Sequence, residues 1–227
     1  GAATRVYPAD FPGAARTTIH AAYPDAICLY LNGAAGNVST RFTRRDQSFA
    51  EMERLGGLLG EQVVNLVGRH EWDEQRSSTT PCLAWERQNV ELPFRAFDNA
   101  ATRSLNPTGN QRIDQTRAEG AMIETQLRHT FAGQIAQPAT LNVLRVGSVT
   151  LAFVPGEPFN DLALAVRKMS PDALVVGYAN DYLGYFPTQS AIDDQTYEAL
   201  SSPYDARAHH LIEVTLIGLL YGLLDCV

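Results

Sequence analysis

Lysine is almost missing from this chain. Lys168 stands alone beside seventeen arginines, and acidic residues outnumber the two together, for a net charge of −7. Such an acid-rich balance argues against a nucleic-acid surface. Cysteine is scarce, with only Cys28, Cys82 and Cys226. An odd number at irregular spacing excludes a disulfide framework and lacks zinc-ligand spacing. Cys28 sits in an apolar run and reads as a small core residue. Long apolar runs are missing too. The longest, residues 211–224, contains Glu213 and is too short to span a bilayer. The opening GAATRVYPADFPG has no apolar signal core, and its leading Gly without Met leaves the natural N-terminus open. No G-x-S-x-G elbow occurs, which removes the usual serine-hydrolase nucleophile signature.

Enough apolar material remains to build a core. Of 227 residues 45% are hydrophobic and only 19% are charged, which excludes a disordered chain. Asp10 with Pro12 predicts a helix entry running to Ala22. Ala26–Leu31 (AICLYL) has strand length and composition and is closed by NGAAGN at 32–37. Ser48 to Arg69 predicts a helix with Phe49, Met52, Leu55, Leu58, Leu59, Val63 and Leu66 on its apolar face. Gly56, Gly57 and Gly60 inside it point to close packing.

Downstream, Pro81 to Phe94 predicts one strand or a bent pair, residues 96–113 an exposed loop, and Asp114 to Phe131 a helix. Leu141–Val146 and Val149–Val154 form a hairpin around Gly147-Ser148. Helix 158–169, strand 173–179 and helix 206–224 complete an α/β pattern: a mixed sheet flanked by helices.

The most informative stretch is residues 154–188. Glu157 sits in a Pro-Gly turn directly after one apolar run. Asn180, Asp181, Tyr182, Tyr185 and Thr188 follow a second. Polar residues at buried strand ends cost stability unless they are paired or used. In open α/β sheets that is where ligands bind.

Three ordered segments carry a resemblance. They are ADFPGAAR (9–16) with LYLNGAAGNVST (29–40), FVPGEPF (153–159), and GYANDYLGYFPT (177–188) with TYEALSSP (196–203). Together they resemble the neutral/alkaline non-lysosomal ceramidase family, over the C-terminal half of its catalytic domain. On this resemblance residues 1–227 are the C-terminal portion of a larger catalytic domain.

The resemblance implies zinc-dependent hydrolysis of the amide bond in ceramide or a related N-acyl lipid. It implies a Zn2+ ion held by two histidines, a glutamate and a tyrosine. The glutamate is Glu157 and the tyrosine Tyr185, with Tyr182 as the nearby alternative. Tyr197 is the further tyrosine that polarises the scissile amide, and Ser39 the serine once proposed as nucleophile. The glycine loop places Gly36 and Asn37 at the substrate. The two histidines are expected upstream, in a missing part of the same protein. His20, His70, His129, His209 and His210 lie outside the motifs. A lipid amide substrate implies peripheral contact with a membrane surface, and the family a secreted or periplasmic location.

Each residue also has a plainer reading. Glu157 could cap the following helix, Tyr185 could be a half-buried packing residue, and Asn180 and Asp181 could be turn formers. The backbone N–H groups of the glycine loop could form an oxyanion site near Ser39. The alternatives to a zinc amidohydrolase are a non-catalytic module that binds lipid or a partner, and a serine acyl hydrolase using Ser39. Adjacent His209 and His210 are about 100° apart on a helix, so one faces the core and the other solvent.

Overall fold

The structure is a computed structural model and describes residues 7–69, 82–97 and 105–223. The expectations for His70, Pro81 and Cys226 lie outside the described residues. The chain divides into two compact units, residues 1–31 with 39–80, and residues 32–38 with 81–227.

The first unit is built on a helix pair, α1 (Asp10–Ala22) and α2 (Phe49–Arg69). Ser48 starts α2, its hydroxyl accepting from Glu51 N at 3.1 Å. The helices approach closely through Gly56 and Gly60. A Cβ at Gly56 would lie 2.4 Å from the carbonyl oxygen of Phe11, and one at Gly60 2.6 Å from Thr18 Cβ. Glycine costs helix propensity, and here the return is backbone-to-backbone packing. The apolar stripe predicted to drive burial behaves otherwise. Only Glu51, Gly56 and Gly60 of α2 are buried, while Phe49, Leu58, Leu59 and Leu66 are exposed.

Ala26–Leu31 is not a strand. Its β-prone sequence has no ladder partner, since none of residues 27–31 makes a backbone hydrogen bond among the described residues. Ile27 is 90% and Leu29 81% exposed. Cys28, expected in the core, is accordingly only half-buried. Strand propensity reflects packing against neighbouring strands, and among the described residues this run pairs with none, Tyr30 instead meeting Phe11 edge-on.

The second unit holds a four-stranded mixed sheet in the order β1 (Leu83–Pro93), β2 (Ala136–Val146), β3 (Val149–Phe153), β5 (Ala173–Val176). The first two pairings are antiparallel and the last is parallel. β2 and β3 form the predicted hairpin, turning at Gly147 with φ +61°. Pro138 is tolerated in β2 because it lies outside the segment paired with β3, where the missing N–H leaves no gap in a second ladder.

Helix α4 (Asn160–Met169) links β3 to β5, the short helices α5 (Gln189–Asp193) and α6 (Tyr197–Leu200) follow, and α7 (Ala206–Gly222) packs on β1, β2 and α4. Leu162, Val166, Ile212 and Leu216 from these helices meet Leu141, Val143, Ala152 and Val175 of the sheet in one core. Helix α3 (Gln111–Thr130) starts three residues before expected because Asn110 caps it, its Oδ1 accepting from Arg112 N and Ile113 N. β5 ends at Val176 rather than 179, because Tyr178 turns the chain with φ +56°.

Candidate metal and amide site

Parallel pairing of β3 and β5 puts the C-terminal ends of both strands at one edge of the sheet. The Pro-Gly-Glu turn leaves β3 there, and the 177–185 segment leaves β5 beside it. Backbone bonds lace the two turns together. Tyr178 N donates to Gly156 O at 2.9 Å, Leu183 N to Pro155 O at 2.9 Å, and Glu157 N to Gly184 O at 2.8 Å. The result is a short parallel pair, β4 (Glu157–Pro158) with β6 (Tyr185–Phe186), in which Glu157 registers with Tyr185. Register partners present their side chains on the same face.

Glu157 is buried, at 9% exposure, and has no ion-pair partner among the described residues. Two phenols satisfy it. Tyr182 donates to Oε1 at 2.6 Å and Tyr178 to Oε2 at 2.7 Å, with the two rings stacked 5.9 Å apart and 7° from parallel. Tyr185 packs edge-on against Tyr197, with centroids 6.4 Å apart. Burial first, and the carboxylate after it, pushes the Tyr182 phenol up to about 12. The same order of causes, burial and then Glu157, raises Tyr178 and Tyr185. All three therefore carry their protons at neutral pH.

Buried side chains hold β6 in place. Ser202 Oγ donates to Tyr185 O at 2.7 Å, and His209 Nδ1 to Phe186 O at 3.1 Å. His209 is buried and His210 exposed, as their spacing predicts. Tyr197 opens the short helix α6 (Tyr197–Leu200), capped by Thr196, whose Oγ accepts from Ala199 N. Arg95, at the end of β1, donates to the last carbonyls of α6, Ala199 O at 3.4 Å and Leu200 O at 3.2 Å. The same guanidinium lies 3.5 Å from buried Glu124 on α3, so one ion pair anchors the helix that carries Tyr197.

The glycine loop meets the site through its backbone. Gly36 N donates to Pro158 O at 2.9 Å, and a Cβ there would sit 2.5 Å from Glu157 O. Only glycine fits this approach. That N–H is engaged, so it is not a free oxyanion donor. Asn37 Oδ1 accepts from Asn160 N at 2.7 Å, and its amide reaches Asp161 at 3.4 Å, so it caps α4 from a distance. Ser39 belongs to the first unit. It caps the 3₁₀ turn Thr40–Phe42, its Oγ accepting from Arg41 N at 3.1 Å. Among the described residues no histidine or carboxylate hydrogen-bonds to it.

Asn180 and Asp181 act as turn residues. Asn180 adopts φ +71°, and Asp181 Oδ1 accepts from Tyr182 N at 2.7 Å. Tyr178, Ser202 and Arg95 were not singled out by the sequence patterns. A tyrosine two residues before the Asn-Asp turn was the one available signal for Tyr178.

Among the described residues no three His, Cys, Asp or Glu side chains gather closely enough to hold a metal. The donor chemistry still fits half of an N/O zinc site. A carboxylate offers about four acceptor positions and two are used by phenols, leaving one on each oxygen. Burial, and after it the same carboxylate, disfavours ionisation of the adjacent Tyr185, a bias that a bound cation offsets.

No protein-family model matches the sequence, and no curated protein matches it. Solved structures of ceramidases share its fold. Neutral ceramidase from Pseudomonas aeruginosa aligns over 98% of this chain at 17% identity, with a TM-score of 0.62. A ceramidase complexed with C2 aligns over the same 98% at 15% identity, with the same TM-score. The chain spans 42% of the first structure's length and 43% of the second's, so it has the fold of part of a ceramidase, as the sequence motifs imply.

Proposed function

We propose that this chain is the portion of a zinc-dependent amidohydrolase that supplies two of the metal's oxygen ligands and a carbonyl-polarising tyrosine. The substrate is ceramide or a related N-acyl lipid. One observation carries the reading: a buried carboxylate with no ion-pair partner among the described residues registers with Tyr185 at the strand ends of a ceramidase-like fold.

Glu157 and Tyr185 would hold zinc together with two histidines from a preceding part of the protein. Zinc, when bound, supplies Lewis acidity toward the amide carbonyl and toward water. Tyr197, set edge-on to Tyr185, donates a hydrogen bond to the carbonyl oxygen as negative charge develops there. Water adds across the C–N bond: hydroxyl joins the acyl carbon and the amine leaves with the proton, releasing a fatty acid and a long-chain base. The capping bond of Ser39 favours water over serine as nucleophile. A secreted or periplasmic location belongs to the same reading, and among the described residues no helix is long and apolar enough to cross a membrane.

The test is hydrolysis of an N-acyl sphingosine by the longer protein, before and after a zinc chelator. Activity that disappears with chelation and returns with zinc supports the reading. Absence of hydrolysis by zinc-loaded protein refutes it.

A further inference from the structure

Tyr178 occupies a position that suits it badly. Its backbone lies in the left-handed region at φ +56°, which is unfavourable for an L-residue with a bulky side chain. Burial of the ring does not offset this, because Tyr178 is 43% exposed. Asparagine is the common non-glycine choice for such a conformation, and Asn180, two residues on, follows that rule. A strained aromatic beside a buried carboxylate points to what its side chain does there.

The strained turn aims the Tyr178 hydroxyl at Glu157 Oε2, 2.7 Å away, while its own N–H is fixed to Gly156 O. The last torsion of a glutamate is soft and roughly two-fold, so packing alone does not set the plane of its carboxylate. Two phenols on opposite oxygens do set it. They are not equivalent. Tyr182 is more exposed, at 59%, and among the described residues its N–H is held by the neighbouring Asp181 side chain alone. Tyr178 is tied directly to the turn that carries Glu157. It is the fixed half of the pair, with Tyr182 stacked on it.

We infer that Tyr178 is a positioning residue: its hydroxyl pins the Glu157 carboxylate in the orientation a metal requires, leaving one acceptor position on each oxygen. The inference rests on the reading of Glu157 as a zinc ligand. Hydrogen bonds to ligating carboxylates orient them and tune the metal, and losing such a partner typically costs about 10–100-fold in metal affinity.

The experiment measures zinc affinity by chelator competition in the longer protein, with the visible spectrum of the cobalt-substituted form as a second readout. Tyr178→Phe keeps the ring and removes only the hydroxyl. It should weaken zinc by about 10–100-fold and shift the cobalt bands. Tyr178→Asn relaxes the backbone and withdraws the hydroxyl. It should weaken zinc similarly while raising the melting temperature of the metal-free protein, a pairing that a purely structural role would not produce. Glu157→Gln separates the two levels of the reading. If it loses zinc while both Tyr178 variants bind at wild-type affinity with an unchanged cobalt spectrum, the role of Tyr178 is refuted and the ligand assignment stands. If Glu157→Gln binds zinc normally, both fall.

Discussion

Glu157 and Tyr185 form the first rung of a two-residue parallel pair, in a chain where each follows a different strand of the main sheet. Backbone pairing fixes their relative position, so side-chain rotamers need only complete it. Everything proposed for the site depends on that rung. Gly36 backs it, Ser202 and His209 hold its far strand, and Tyr178 and Tyr182 hold its carboxylate.

The helix that presents Tyr197 depends on Arg95. Arg95→Leu removes the cap on Ala199 and Leu200 and the 3.5 Å ion pair with buried Glu124. Loss of one partner from a buried pair costs on the order of 3 kcal/mol. Chemical denaturation should show that loss, and hydrolysis by the longer protein should fall even at temperatures where the variant stays folded.

Two adjacent glycines in α2 should respond oppositely to alanine. At Gly56 the new methyl meets the Phe11 carbonyl at 2.4 Å and Ala14 Cβ at 2.5 Å, whereas at Gly57 nothing lies within 4 Å. Gly56→Ala should destabilise by about 1–3 kcal/mol through overpacking. Gly57→Ala should stabilise by about 0.5–1 kcal/mol through helix propensity. Melting temperatures of the pair decide the matter, and equal shifts would contradict the helix packing described.

These contrasts show what the sequence made legible. Periodicity located α2, the hairpin and α7, because each is set by local pattern and turn chemistry. It overestimated the burial of the apolar stripe on α2, where Phe49, Leu58, Leu59 and Leu66 are exposed, while Gly56 and Gly60 pack closely as their presence in the helix implied. It also read Ala26–Leu31 as a strand, because composition reports β-propensity but not whether a partner strand is present. In the site, motif made the positions of Glu157, Tyr185 and Tyr197 legible, the first two as register partners and the last two as an edge-on pair. Tyr178 and Arg95 were not legible, because their roles arise from a left-handed backbone angle and from contacts spanning more than a hundred residues of sequence.

Alkaline titration reads the tyrosine cluster directly. Free tyrosine ionises near 10, while burial and then Glu157 push Tyr182 to about 12 and raise Tyr178 and Tyr185. Because the folded values lie above the unfolded one, the stability these groups contribute is complete below pH 10. It is lost as pH climbs from 10 through about 12. Tyrosinate absorbance should show a late-ionising set among the nine tyrosines. Glu157→Gln should lower Tyr182 without returning it to its ordinary value, since burial is the larger cause. All tyrosines titrating together near 10 would contradict the cluster.

Ser39 and Glu157 should separate in activity. Ser39→Ala removes one cap of a three-residue turn and should cost about 0.5–1 kcal/mol in stability while preserving most hydrolysis. Glu157→Ala should abolish hydrolysis, as removal of a metal ligand does. Tyr197→Phe should fall between them, at about 10²–10³ in kcat, the usual cost of one oxyanion donor. A covalent acyl group trapped on Ser39 would reverse the ranking and favour a serine mechanism.

The central claim is that Glu157 and Tyr185 share one zinc ion, and anomalous diffraction at the zinc edge from crystals of the longer protein tests it most directly. A shared ion gives a single strong peak about 2.0–2.2 Å from a Glu157 carboxylate oxygen and at bonding distance from Tyr185 Oη, lost in Glu157→Gln crystals. A zinc peak bonded to neither residue, or one unchanged by Glu157→Gln, would contradict it.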